Sequence, residues 1–121
     1  MKAVFDTNIL IDYLNGIENA SQELSRYRKK LISVISFIEV LVGAEDETEE
    51  SVIRGFLSTF EVRALSEEIA EASIKVRKKH RLKVPDAIVY ATAQVEECMI
   101  VSRNTKDFKE EWPDVRVPYE I

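Results

Sequence analysis

The sequence predicts an α/β fold of three layers, in which a mostly parallel sheet of about five strands lies between helices. Two observations carry this expectation. Short apolar runs such as Ala3-Val4-Phe5 and Met99-Ile100-Val101 alternate with stretches of helical periodicity instead of tight hairpin turns. Those runs are apolar on both faces, as strands covered by helices must be. A third observation bounds the architecture. Three glycines and three prolines leave little room for linkers, and no repeat or low-complexity segment interrupts the chain, so residues 1–121 read as a single domain.

The elements follow in order. A first strand near residues 2–5 delivers Asp6 to the start of a helix over about 7–15, where Ile9, Leu10, Tyr13 and Leu14 recur at helical spacing and Gly16 ends the run. A helix over about 18–30 precedes an apolar strand from Leu31 to Ile35, and helices over about 36–45 and 47–58 lead to a strand near 60–64. Ser66 caps a long helix reaching about His80, and Val84-Pro85 opens the next, to about residue 97. A strand from Met99 to Ser102, a helical turn near 104–111 and a last strand from Val115 to Val117 complete the pattern.

Composition narrows the function. With 45% hydrophobic and 32% charged residues the chain has the make-up of an ordinary globular protein, and no apolar run is long enough to span a bilayer. No signal peptide opens the chain, and the single cysteine, Cys98, fits a reducing cytoplasm. Nothing nearby would activate Cys98, which reads as a bystander. The net charge of −5 argues against a protein that grips nucleic acid by bulk charge. The charge is uneven, however. Acids cluster from Glu45 to Glu50, and cations cluster at Arg26–Lys30 and again from Lys75 to Lys83. Such runs are ordinary solvated helix faces, or a basic rim beside an acidic pocket.

Three acids stand at predicted helix starts: Asp6, Glu39 and Asp86. Each has a plain structural explanation. Asp6 reads as an N-cap, Glu39 completes a Ser36-to-Glu39 capping box, and Asp86 follows Pro85 in a first turn where the helix dipole favours it. Together they suggest more. Asp6 follows a strand directly and Glu39 follows one closely, so a parallel sheet brings both to one edge, while Asp86 comes in at its own helix start. Convergent carboxylates repel unless a cation is present, and an all-oxygen pocket without histidine suits Mg²⁺ or Mn²⁺.

The segments VFDTNILIDYL, SFIEVLV, LKVPDAIVYATA and VSRNTKDF resemble the motifs of PIN-domain nucleases. Within that superfamily, chain size and all four segments are similar to the VapC toxins of prokaryotic toxin–antitoxin pairs. The resemblance implies a metal-dependent endoribonuclease whose metal-binding acids are Asp6, Glu39, Asp86 and a fourth, for which Asp107 is the better candidate and Asn104 a polar neighbour. It implies that Asn8 supports the metal or its water, while Thr7 orders the helix start. It also implies an RNA substrate, a small cognate antitoxin and a homodimer. Tyr90 departs from the family, which commonly carries a small residue there. Arg77, Lys79, Arg81 and Arg103 are candidates for phosphate contacts.

Rival readings fit less well. A receiver-type phosphoacceptor needs adjacent acids after the first strand, where Asp6 stands alone, and an Asp-x-Asp phosphatase fails because residue 8 is Asn. His80 is the only histidine, sits in a basic helix end and reads as a solvated surface residue, and the absence of a second histidine argues strongly against a metal-independent ribonuclease that uses a histidine pair. A PIN-type RNA-processing or structure-specific nuclease remains an alternative, as does a non-catalytic module. The apolar residues of the third and fourth helices (Phe37, Leu41, Val42, Val52, Phe56, Leu57) are generous for one core, although burial within one monomer is the default reading.

Overall fold

Phe5 and Val101 pair side by side at the carboxyl ends of two neighbouring strands, and the fold is arranged around that pair. The computed structural model describes all 121 residues, Met1–Ile121. The chain begins with β1 (Lys2–Phe5), α1 (Thr7–Leu14), α2 (Glu18–Leu24), β2 (Lys29–Ser33), α3 (Val34–Val42) and α4 (Glu47–Leu57). It continues with β3 (Glu61–Arg63), α5 (Glu67–His80), α6 (Val84–Val95), β4 (Met99–Val101) and β5 (Val115–Arg116). The strands form one parallel sheet in the order β3-β2-β1-β4-β5.

That order contains a reversal. From β1 the chain steps outward through β2 to β3, then returns to place β4 on the other side of β1. Right-handed crossovers put the helices of the two legs on opposite faces. Ala3, Phe5, Ile32 and Val101 pack with α1 to α4, whereas Val4, Leu31, Ile100 and Val115 pack with α5 and α6. The alternation of neighbours in β1 between two cores is the period of two that a doubly covered strand requires. Between β1 and β4, where the strand order reverses, open α/β sheets leave a crevice at the strands' carboxyl ends.

Several boundaries differ from the sequence-based expectation, with identifiable causes. The second helix stops at Leu24, not near residue 30, because the chain turns through Tyr27 to start β2 at Lys29. Tyr27 packs edge-on against Phe5 at 5.1 Å, and its hydroxyl donates to Glu23. The third helix is capped by Ser33, whose hydroxyl accepts from the Ile35 amide at 3.1 Å, so Ser36 lies inside the first turn. The Ser36–Glu39 capping box is therefore absent, and Glu39 is released for another role. The stretch 104–111 forms turns in place of a helix, although the Phe108 amide closes one turn onto the Asn104 carbonyl at 3.0 Å.

Of the apolar residues on α3 and α4, Leu57 is buried and Phe37, Leu41 and Phe56 pack partly against the core, but Val42 and Val52 remain exposed at 77% and 63%. No helix is long and apolar enough to cross a membrane.

Candidate active site

Asp6 sits where β1 ends and α1 begins, in extended backbone that makes it the N-cap. Its Oδ1 accepts from the Thr7 amide at 2.8 Å. Its Oδ2 accepts twice, from Ser102 Oγ at 2.8 Å and Asn8 Nδ2 at 3.1 Å. Burial nevertheless pushes the Asp6 carboxyl up to about 6; the Ser102 and Thr7 bonds hold it back, while the charges of Asp86 and Glu39 push it further. The capping role and the site role coexist in one residue.

Thr7 reaches across to α3. Its hydroxyl donates to Glu39 Oε1 at 2.7 Å, with Ser36 Oγ at 3.0 Å. Thr7 thus orders more than its own helix: it fixes an exposed carboxylate beside Asp6. On the other side, the Asn104 amide N–H donates to Ser102 Oγ at 3.0 Å. Asn104 and Asp107 then bond each other twice, Asn104 Nδ2 to Asp107 Oδ2 at 2.9 Å and the Asp107 amide to Asn104 Oδ1 at 3.3 Å. A line of hydrogen bonds runs from Glu39 through Asp6 to Asp107. Asp86, in the first turn of α6, is coupled to that line by charge. Burial raises its carboxyl, Asp107 and Glu39 raise it further, and Lys83 partly offsets them.

All four acids predicted from the sequence thus lie in one electrostatic field. Asp6 is raised by the charges of Asp86 and Glu39, and Asp86 by those of Asp107 and Glu39, so the cluster is a site for positive charge, and its oxygen-only donor set suits a hard divalent ion. They do not form a closed cage, because no three of the chain's Asp, Glu, His or Cys side chains are grouped tightly enough to hold one ion directly. An ion that keeps several of its waters, as Mg²⁺ does, fits such a spread donor set.

Two expectations need correction. Arg103 is not free to hold a phosphate. Its guanidinium forks onto Asp12, Nε to Oδ2 at 2.6 Å and Nη2 to Oδ1 at 2.8 Å. His80 is half-buried and not a freely solvated surface residue. It packs on Trp112 with ring centroids 4.0 Å apart, and burial lowers its pKa. Arg77 donates to the Leu82 carbonyl at 2.9 Å, tying the end of α5 to the turn before α6, while Lys79 and Arg81 are exposed. Tyr90 is buried, donates to Asp114 Oδ2 at 3.1 Å and packs on Phe108, bracing the segment that carries Asp107. Cys98 is half-buried, and burial raises its thiol, so no activated nucleophile is present there.

Sequence reasoning missed Ser102, Asp12 and Tyr119. Ser102 directly follows β4 next to Asp6 and could have been found as a hydroxyl at a predicted strand end. Asp12 shares the buried side of α1 with Ile9 and Leu10, and an acid on an apolar face is a signal in itself. Tyr119 donates to Asp12 Oδ2 at 2.8 Å from 107 residues away, and no local pattern announces that contact.

A parallel sheet with an acidic crevice at its switch point, at the carboxyl ends of β1 and β4, defines a class of α/β proteins built to bind at that edge. The chain belongs to the PIN-domain family, whose profile matches residues 3–110. It is 46% identical to a chain of a toxin–antitoxin complex from Klebsiella pneumoniae, covering 98% of this chain and 99% of that one, with a TM-score of 0.92. It is 28% identical over 113 residues to Ribonuclease VapC1 of Methanocaldococcus jannaschii, covering 89% of this chain and 79% of that protein. DNA-bound VapBC from Salmonella typhimurium shares the fold, with a TM-score of 0.80 at 24% identity over 96% of each chain.

Proposed function

We propose that this protein is a metal-dependent endoribonuclease that hydrolyses RNA phosphodiester bonds and acts as the toxin of a toxin–antitoxin pair. The observation that carries the reading is the buried Asp6, raised to about 6 and pressed by Glu39 and Asp86, at the switch point of a PIN sheet. Similarity along nearly the whole chain to a member of a toxin–antitoxin complex and to a ribonuclease supports the biological role.

Asp6, Asp86 and Asp107 would hold Mg²⁺ or Mn²⁺, and Glu39 would position an ion or the attacking water. A bound divalent ion supplies Lewis acidity at the phosphoryl group and acidifies water. The chain's own residues prepare that chemistry. Ser102 and Asn8 occupy Asp6 Oδ2 with two donors, so Oδ1, which accepts only from Thr7, keeps a lone pair free. Thr7 holds Oε1 of Glu39 and leaves the second oxygen free to act on solvent. A small cognate antitoxin and a second copy of the chain are the proposed partners, and the exposed apolar residues Ile38, Val42 and Val52 offer surface to cover. The whole chain acts as one domain in the cytoplasm, the compartment that the lone Cys98 suits.

The test is cleavage of structured and single-stranded RNAs by purified protein with Mg²⁺ or Mn²⁺, with EDTA, and with Asp6→Asn alongside. Metal-dependent cleavage lost in the variant supports the reading. Metal-independent cleavage that survives Asp6→Asn overturns the mechanism.

A further inference from the structure

We infer that Asp12, Arg103 and Tyr119 form a latch that positions Asn8, and through it Asp6, and that they are positioning residues of the candidate site. The catalytic part of this inference rests on the nuclease reading; the structural part rests on geometry alone.

The latch is built from three distant pieces of chain. Asp12 is buried at 4% exposure on the inner side of α1. Arg103 approaches it from the loop after β4 with two bonds at 2.6 and 2.8 Å, and Tyr119 adds a third donor at 2.8 Å from the carboxyl-terminal segment. With its side chain fixed, the Arg103 backbone is held so that its amide donates to Asn8 Oδ1 at 3.2 Å. That contact holds the oxygen side of the Asn8 amide, as the acceptor-only Asp6 carboxylate holds its nitrogen side, so the two together fix which way the amide faces. The Asn8 Nδ2 protons are then aimed at Asp6 Oδ2 and at Ser102 Oγ, both at 3.1 Å. Without the latch, the Arg103 amide is no longer held against Asn8 Oδ1, and Asn8 is left with its Nδ2 contacts alone.

The fold supplies its own control. Glu23 is likewise buried at 4%, accepts a forked Arg116 at 2.7 and 3.0 Å, and accepts the Tyr27 hydroxyl at 2.8 Å. This second assembly has the same chemistry, but its side chains touch none of the site residues, and its one backbone link to them, the Arg116 carbonyl that accepts the Ser102 amide at 3.0 Å, is a bond of the β4–β5 ladder, held by the sheet itself. A structural role alone predicts the same consequences for breaking either assembly.

The experiment compares Arg103→Gln, Asp12→Asn and the milder Tyr119→Phe with Glu23→Gln. Proton exchange of the Asn8 side-chain amide, read by NMR on metal-free protein, is expected to quicken at least about tenfold in Arg103→Gln and Asp12→Asn. Tyr119→Phe is expected to shift it less in the same direction, and Glu23→Gln to leave it unchanged. In RNA cleavage, the first two variants are expected to lose roughly ten- to a hundredfold in kcat with KM near wild type, the signature of a misplaced group. Unchanged Asn8 exchange in folded Arg103→Gln overturns the latch, and so does equal quickening in Glu23→Gln. A rise in KM alone would return Arg103 to phosphate binding. If wild-type protein cleaves no RNA with either ion, the nuclease reading fails while the exchange data still judge the latch.

Discussion

Ser102 Oγ donates to Asp6 Oδ2 at 2.8 Å, joining the ends of two adjacent parallel strands across 96 positions of sequence. A hydrogen bond to an ionised carboxylate is worth about 1.5–3 kcal/mol to the charged form. Ser102→Ala removes that donor and also strips the Asn104 amide of its acceptor. Asp6, already raised to about 6, is then expected to rise further. The acid limb of the pH profile of kcat/KM should move to higher pH, and Ser102→Thr, which keeps a hydroxyl, should move it back. An unmoved profile in Ser102→Ala would show that Asp6 ionisation does not limit the reaction.

Stability should carry the opposite imprint of Asp6. Its carboxyl binds its proton more tightly folded, at about 6, than at its ordinary value of 3.8. The folded state is therefore favoured fully below 3.8, and that advantage is lost as pH rises through about 6. The loss is on the order of 3 kcal/mol at neutral pH. In EDTA, Asp6→Asn should flatten the fall of unfolding free energy across this window and be the more stable protein at pH 7. Denaturant melts of both proteins at several pH values check it; parallel curves would contradict the burial of a charged Asp6. Toward acid, Asp12 and Glu23 act the other way: Arg103 and Arg116 hold their carboxyls low, so stability drops as pH falls through those lowered values.

The sequence made legible what local chemistry decides. The strand-to-helix joint at Asp6, the Ser66 cap, the start of α6 near Pro85 and the parallel topology all follow from periodicity and breakers read over a dozen residues. The start of α3 was misread because Ser33 and Ser36 both precede apolar residues at cap-like spacing, and only the sheet decides which keeps the extended backbone. The approach of Asp6 and Glu39 is legible in strand ends and that of Asp86 in its helix start, whereas Asp107 comes from the resemblance alone, and the supports of these acids are not legible. Asp12 meets Arg103 from 91 positions away, a contact that no local pattern announces.

Asn104 and Asp107 offer a test of the fourth acid. Asn104 Nδ2 now donates to Asp107 Oδ2, which quiets the charge of that carboxylate. Asn104→Asp replaces a donor with a second negative group at the same spot, and like charges at that distance are destabilising. Without metal the variant should melt several degrees lower, since 1 kcal/mol moves the Tm of a chain this size by about 3–6 °C. Added Mn²⁺ should raise its Tm by more than it raises that of the wild type, because the extra carboxylate gives the ion another oxygen. Equal Tm gains would place Asn104 and Asp107 outside the ion's reach.

Substrate approach is the last point the geometry tests. A chain of net charge −5 with an acidic crevice must draw RNA in by local cations. Lys79 and Arg81 are exposed where α5 ends, on the stretch of chain that leads into Asp86 and the start of α6. Lys2 is a cation of the other kind: it lies at the amino end of β1, away from the crevice, and pairs with Glu96 at 3.6 Å. Lys79→Ala should weaken RNA binding evenly across sequences and reduce the salt slope of log K by about 0.7, the value for one phosphate on a single strand. Lys2→Ala should change neither. Filter binding of Asp6→Asn protein, which retains RNA uncut, gives both slopes. Identical slopes for wild-type and Lys79→Ala backgrounds would move the phosphate path off the end of α5, leaving Arg81 and Lys83 beside Asp86 as the next cations to vary.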